Sequence, residues 1–193
     1  AAGRLPDPPL EGGGPVPAVA TGRHLGFDTN IYPGDRAMRA WHDDGSPYEW
    51  VGYYLPAPCH RDDSWSGKRE TLASMGWGLA VIYVGQQTWD GVKGPSARTA
   101  ARPRQGGTLE CHRPLRSPQQ GRDKADDAVS RTAAEGFADG TTIFLDIEYM
   151  DVVTPRMRDY YRWWIARVLA DGRFRPGVYV HTRNADGIHA DVV

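Results

Sequence analysis

The sequence predicts an α/β fold built on parallel strands. Three observations predict it. Short apolar runs alternate with segments patterned at helical spacing from His24 to Thr182. Runs such as LAVIYV (Leu79 to Val84) are continuously apolar, as expected where both faces of a parallel sheet are covered. Cap and turn signals fall between the runs. Strict βα alternation, with five strands and about four intervening helices, implies right-handed crossovers between parallel strands. Two architectures satisfy this pattern: a doubly wound open sheet and a βα barrel. Gly26-Phe27-Asp28-Thr29-Asn30, at the end of the first strand, is not a dinucleotide fingerprint, which weakens a nucleotide-binding reading.

Taken in order, His24 to Thr29 reads as a short strand. Asp35 to His42 reads as a short helix stopped by Asp43-Asp44-Gly45. Glu49 to Leu55 is an aromatic-rich strand broken by Pro56 and Pro58. Ser66 to Met75 is a helix with Gly76 just beyond its end. Leu79 to Val84 is the third strand. Residues 86–120, rich in Gly, Pro, Arg and Gln, show no periodicity and read as an insertion. Arg122 to Glu135 is helical, with Ala125, Ala128, Val129, Thr132 and Ala133 on one face. Thr141 to Glu148 is a strand. Thr154-Pro155 starts a helix, with a cap residue and proline in its first turn. Met157, Tyr160, Tyr161, Trp164, Ile165, Val168 and Leu169 then fall at helical spacing up to Asp171-Gly172. The aromatic cluster there reads as a packing face. Gly177 to Thr182 is the last strand.

Composition bounds the function. Of 193 residues, 40% are hydrophobic and 24% charged, and the mean hydropathy is −0.56, which is the profile of a globular chain. Lys plus Arg is 23 against 24 for Asp plus Glu, so there is no basic footprint for nucleic acid or an anionic membrane. The longest apolar runs fall far short of the roughly 20 residues of a membrane helix. Seven Trp and nine Tyr suit a carbohydrate cleft, although cores use aromatics too. Residues 1–22, rich in Pro and Gly, read as a flexible tail, and residues 23–193 as the domain. No signal peptide is visible in the sequence.

The two cysteines are Cys59 and Cys111. If paired, they close a loop of about 50 residues, worth about 4 kcal/mol in the chain-entropy model, and imply an oxidising compartment. Two unrelated thiols are the alternative. Each is followed by a histidine, His60 and His112, but adjacent side chains point apart in extended backbone and the usual zinc spacing is absent.

The chemistry concentrates in acids. On a strand, residues i and i+2 share a face, so Asp146 and Glu148 point one way while Ile143, Leu145 and Ile147 point to covering helices. Asp28 holds the matching place near the end of the first strand. In a barrel all three would meet at the C-terminal mouth. Crowded carboxyls raise one another's pKa, so one can stay protonated as a general acid. Tyr54, Gln86, Tyr179 and His181 are the candidate substrate-binding residues, with Gln87, Trp89 and Tyr149 also near the presumed mouth. His60, Asp62 and Asp63 read as a solvated loop in preference to a cation site, and no metal or other cofactor is expected.

The segments GFDTNIYPG (Gly26 to Gly34), VGYYLPAPC (Val51 to Cys59), GWGLAVIYVGQQ (Gly76 to Gln87), GTTIFLDIE (Gly140 to Glu148) and PGVYVHT (Pro176 to Thr182) resemble, in that order, a known family. It is the glycoside-hydrolase-like domain of unknown function of secreted bacterial proteins, itself similar to the family-25 glycoside hydrolases, the lysozyme-like muramidases. The resemblance covers about residues 24–193. It implies a TIM-type (β/α) barrel of glycosidase type, acting outside the cytoplasm on peptidoglycan or a related polysaccharide. The muramidases carry an Asp at the end of the first strand and an Asp-x-Glu at the end of the fourth, which correspond to Asp28, Asp146 and Glu148. By that resemblance Glu148 is the general acid. Asp146 orients or stabilises, through the substrate's acetamido group, and Asp28 tunes Glu148 and positions the sugar. The family's later site residues lie on strands beyond the fifth and have no counterpart in this sequence.

The resulting expectation is an extracytoplasmic, monomeric glycoside hydrolase or close relative acting on cell-wall glycan. Its rivals are a non-catalytic glycan-binding module and, less favoured, a metal-dependent phosphodiesterase using the same carboxylates. A full barrel takes about 250 residues, so five βα units are expected to form an incomplete barrel, lacking its C-terminal strands, with an exposed last edge.

Overall fold

Alternation of strand and helix carries through the chain. The structure is a computed structural model and describes residues 8–10, 22–43, 45–87, 117–148 and 150–192. The strands are β1 (Leu25–Phe27), β2 (Tyr48–Tyr54), β3 (Gly78–Val84), β4 (Thr142–Ile147) and β5 (Arg175–Val180). Between them lie α1 (Asp35–Asp43), α2 (Arg69–Ser74), α3 (Pro118–Ala134) and α4 (Pro155–Asp171), and α5 (Thr182–Val192) follows β5. All neighbouring strands pair in parallel, in the order β1-β2-β3-β4-β5. That order shows no reversal point among the five strands. A doubly wound sheet must reverse its strand order at a switch point, whereas an unreversed order with right-handed crossovers keeps every helix on one face.

That helix-covered face holds the core. Val51, Tyr53 and Leu55 from β2 and its end, Val81 and Tyr83 from β3, and Ile143, Leu145 and Ile147 from β4 are all fully buried. Against them pack Met38 of α1, Leu72 of α2, Ala125 and Ala128 of α3, and Met157, Tyr160, Tyr161, Trp164 and Val168 of α4. The period-two register of β4 is therefore as the alternation predicts, and the aromatic cluster of α4 is a packing face. Gly121 sets how closely α3 and α4 meet. A Cβ there would run into the Tyr160 carbonyl oxygen, the Trp164 nitrogen and the Trp163 side chain.

The opposite, inner face carries rings laid over glycines. The Trp50 indole lies where a Gly26 side chain would stand, and the Phe144 ring covers Gly177. The sheet is also curved. The Tyr179 hydroxyl on β5 donates to Asp28 Oδ2, just past β1, at 2.7 Å. In a flat sheet these two edge strands would stand about 19 Å apart, beyond the combined reach of a tyrosine and an aspartate. The sheet is thus a trough, with helices outside and the candidate site within.

The element ends differ from expectation in instructive ways. Helix α3 begins at Pro118, inside the segment read as an insertion; of that segment, residues 88–116 lie outside the described residues. Ser117 caps it, its hydroxyl accepting the Gln120 N–H at 3.2 Å, with Pro118 in the first turn. The same arrangement starts α4 at Thr154-Pro155. Helix α2 begins three residues later than expected, because Gly67 takes a left-handed turn, φ 72°, just before it. Strand β5 begins at Arg175, since an edge strand tolerates Pro176, and ends at Val180. Thr182 belongs to α5, an unexpected helix. Among the described residues no helix is long and apolar enough to cross a membrane. Within the segment expected as a tail, Leu10 packs against the core.

Gly121→Val would overpack the α3–α4 contact, and we expect a loss of about 1–3 kcal/mol, read as a lower denaturant midpoint in equilibrium unfolding.

Candidate functional site

Four of the five strands contribute side chains to the site. Asp28 follows β1 directly. Tyr54 ends β2, Asp146 is the fifth residue of β4 and Glu148 follows it, and Tyr179 lies in β5 opposite Asp146 in the ladder. Both Asp28 oxygens accept tyrosine hydroxyls, Oδ1 from Tyr54 at 2.6 Å and Oδ2 from Tyr179 at 2.7 Å. Gly52 makes this possible. A Cβ at Gly52 would stand 2.7 Å from the Asp28 Cβ and 2.7 Å from Ile82 Cδ1, so only a missing side chain lets Asp28 lie across β2.

Electrostatics separate the acids. Asp146 is 7% exposed, and its pKa is pushed up to about 7 by burial first, then by Glu148 and Asp28. Glu148 is exposed. The two tyrosines remain donors. Burial and the bond to Asp28 raise the Tyr54 hydroxyl far above its ordinary value, and the Asp28 bond, followed by burial, pushes Tyr179 up to about 12. Asp146 also contributes to raising both, so Asp28, Asp146, Tyr54 and Tyr179 share one electrostatic neighbourhood, and Glu148 joins it through Asp146.

The backbone beneath the acids is fixed by two amides that the sequence did not single out as structural. The β3–β4 ladder ends at Val84 opposite Asp146, with one further bond from Gly85 N–H to the Asp146 carbonyl at 2.9 Å. Beyond it the buried Gln87 side chain takes over. Its Nε2 donates to the Asp146 carbonyl at 3.0 Å and to the Gly85 carbonyl at 3.1 Å, and its Oε1 accepts the Glu148 N–H at 2.8 Å. Asn184 of α5 grips the next segment. Its Oδ1 accepts the Met150 N–H at 3.1 Å and its Nδ2 donates to the Met150 carbonyl at 2.9 Å.

The remaining candidates fall elsewhere. Gln86 is fully buried and its N–H donates to the Tyr160 hydroxyl at 3.2 Å, which ties it to the helix layer. His181 caps α5, its Nδ1 accepting the Arg183 N–H at 3.2 Å and its carbonyl accepting the Asn184 N–H at 2.8 Å. His60 packs its ring against Tyr54 at 5.2 Å and burial lowers its pKa, while Asp62 is bound by Ser64. Among the described residues no group of three or more His, Cys, Asp or Glu side chains is arranged to hold a metal ion. Cys59 is disulfide-bonded; Cys111, Trp89 and Tyr149 lie outside the described residues.

A comparison of sequences bears on this geometry. Residues 39–192 match the model of the Rv2525c-like, glycoside hydrolase-like domain family. The chain belongs to this family. Membership in the Rv2525c-like family carries a glycosidase-like α/β fold, in agreement with the parallel sheet and alternating helices. Among solved structures, the chain is similar to an uncharacterized B. stearothermophilus protein known from a crystal structure, with 16% identity and a TM-score of 0.54. That likeness covers 80% of this chain and 59% of the other, so the chain spans less than two thirds of its structural relative, and the likeness concerns the fold alone. No curated protein matches the chain.

The raised Asp146 pKa has a consequence for stability. Between the ordinary aspartate value near 3.9 and about 7, the folded chain keeps a proton that the unfolded chain releases. Stability therefore falls as pH rises through that window, by at most about 1.4 kcal/mol per pH unit from this group. Thermal unfolding from pH 4 to 8 should show this decline, and Asp146→Asn should flatten it and raise the midpoint at pH 8 relative to the parent chain.

Proposed function

We propose that this protein is a glycoside-hydrolase-like protein acting on bacterial cell-wall glycan, peptidoglycan or a related polysaccharide, by carboxylate general acid catalysis. Its trough is of (β/α)-barrel type, and substrate approaches the C-terminal ends of the strands. One observation carries the reading: Asp28, Asp146 and Glu148 leave their strands on the same inner face, with Tyr179 bridging from the far edge to Asp28. Glu148 and Asp28 are both exposed; Asp28 is engaged by two tyrosine hydroxyls, and Glu148 is the group we assign to reach a glycosidic oxygen and donate the proton. Asp146, protonated below about pH 7, is a hydrogen-bond donor suited to an acetamido carbonyl, as a buried neutral carboxyl can be. Asp28 holds Tyr54 and Tyr179 in place to line the sugar site. The disulfide at Cys59 supports an extracytoplasmic location, since such bonds persist in oxidising compartments.

A second reading, a glycan-binding module without turnover, is favoured by one observation: both Asp28 oxygens already accept tyrosine hydroxyls, which commits one of the three acids to holding Tyr54 and Tyr179.

Release of soluble fragments from purified peptidoglycan tests the first reading. We expect turnover, and a loss of about 100-fold or more in Glu148→Gln, the usual contribution of a general acid. Turnover that survives this substitution removes Glu148 from that role, whereas glycan binding without turnover in the parent chain selects the second reading. A role for Asp146 as a neutral donor adds a pH signature: turnover falls as pH rises through about 7, and Asp146→Asn, which keeps an N–H donor, loses that upper limb.

A further inference from the structure

We propose that Gln87 is the positioning residue of the acid pair: its buried side-chain amide stands in for the missing ladder between β3 and β4 and fixes the direction in which Asp146 and Glu148 leave the sheet. Backbone pairing between β3 and β4 stops short of the acid motif's end. Past the Gly85 N–H bond to the Asp146 carbonyl, the chain after β3 leaves the ladder, while the acid motif continues two residues further. β5 still pairs with β4 as far as Ile147–Val180, but on the β3 side the ladder no longer reaches Glu148. Gln87 closes that gap with a primary amide, which offers two donors and an acceptor on one rigid plane.

All three functions are used. The two donors bind the carbonyls of Gly85 and Asp146, and the acceptor binds the Glu148 N–H, so the amide brackets the tripeptide Asp146-Ile147-Glu148 at both ends. The side chain is 1% exposed, so these bonds are shielded from competing water. An amide so placed sets the peptide planes on either side of Ile147, and through them the separation of the two carboxyls. Gln87 touches no substrate in this arrangement and acts through the backbone of the acids.

The kinetic part of the test rests on the hydrolase reading above; the other part does not. Gln87→Met keeps the length and approximate volume of the side chain and removes all three bonds. Gln87→Asn keeps the amide but is one methylene too short to bracket the tripeptide, and it serves if the methionine variant does not fold. A helix-core variant, Leu72→Ala, supplies a control of lowered stability away from the site. Carbon-13 carboxyl titration by NMR then reads the coupling of Asp146 to the groups that face it, Glu148, Asp28, Tyr54 and Tyr179. We expect the Asp146 midpoint to fall toward the ordinary aspartate range in a folded Gln87 variant, as Glu148 swings away and water enters, and to stay unchanged in Leu72→Ala. An Asp146 midpoint unchanged in a folded Gln87 variant, or shifted equally by Leu72→Ala, overturns the proposal. With peptidoglycan as substrate, we expect kcat to fall at least about tenfold in Gln87→Met with KM within about twofold. A parent chain without turnover would defeat the hydrolase reading, and the titration would still decide the role of Gln87.

Discussion

The hydrogen bond from Tyr179 to Asp28 joins the two edges of a five-stranded sheet, and the site depends on the curvature that this bond requires. A flat sheet would hold Asp28 and Asp146 as separate surface acids, each solvated. Bending brings the strand ends together over a shared hollow. Asp146 then loses water and gains two carboxyl neighbours, and all three effects favour its protonated form. The curvature in turn rests on small residues along the inner face. Gly52 lets Asp28 lie over β2, and Gly26 and Gly177 yield their space to Trp50 and Phe144.

Polar groups at the trough follow a division of labour. Tyrosine hydroxyls secure the side chain of Asp28, and amides from Gln87 and Asn184 secure the backbone of Asp146, Glu148 and Met150. Neutral donors do this work at the Asp28 carboxylate and at the backbone of Asp146, Glu148 and Met150. A guanidinium in the same position would lower the Asp146 pKa and remove the proton that distinguishes it. The stability that Asp146 loses as pH rises through its folded pKa is the counterpart of that proton.

Much of this was legible in the sequence, and the remainder has physical reasons for being hidden. Period-two alternation in TTIFLDIE correctly separates the core residues Ile143, Leu145 and Ile147 from the acids, because a residue buried on one face and a polar one on the other leave a strong pattern. The caps at Thr154 and the left-handed Gly172 also mark α4 at both ends. The same cap signature at Ser117-Pro118 was readable but lay in a stretch without apolar periodicity. Gln87 was obscured by the rule that found the acids. Alternation points to Gln86, yet the chain leaves the ladder after Gly85, so the period no longer applies and the next residue takes the bridging role. Gly52 and Gly121 carry no local signal at all, since a missing side chain does not announce which distant atom fills its place. Helix α5 is polar and carries Gly187, so its amphipathic pattern is weak in isolation, and Asn184 gains meaning only when the fold sets it against Met150.

The glycines of the inner face have one more consequence. Trp50 with Gly26, and Phe144 with Gly177, are interlocking partners from adjacent strands. Enlarging a glycine collides with a ring, whereas shrinking the ring opens a gap that a methyl on the glycine partly fills. The two members of each pair are therefore energetically coupled, and their individual effects on stability do not add. Sequence drift along this face is constrained to paired steps: a ring can cross from one strand to its neighbour only if the space moves the other way. The trough can thus change the strand from which it presents its aromatic surface while keeping its width, and so alter the shape offered to a ligand without moving the acids.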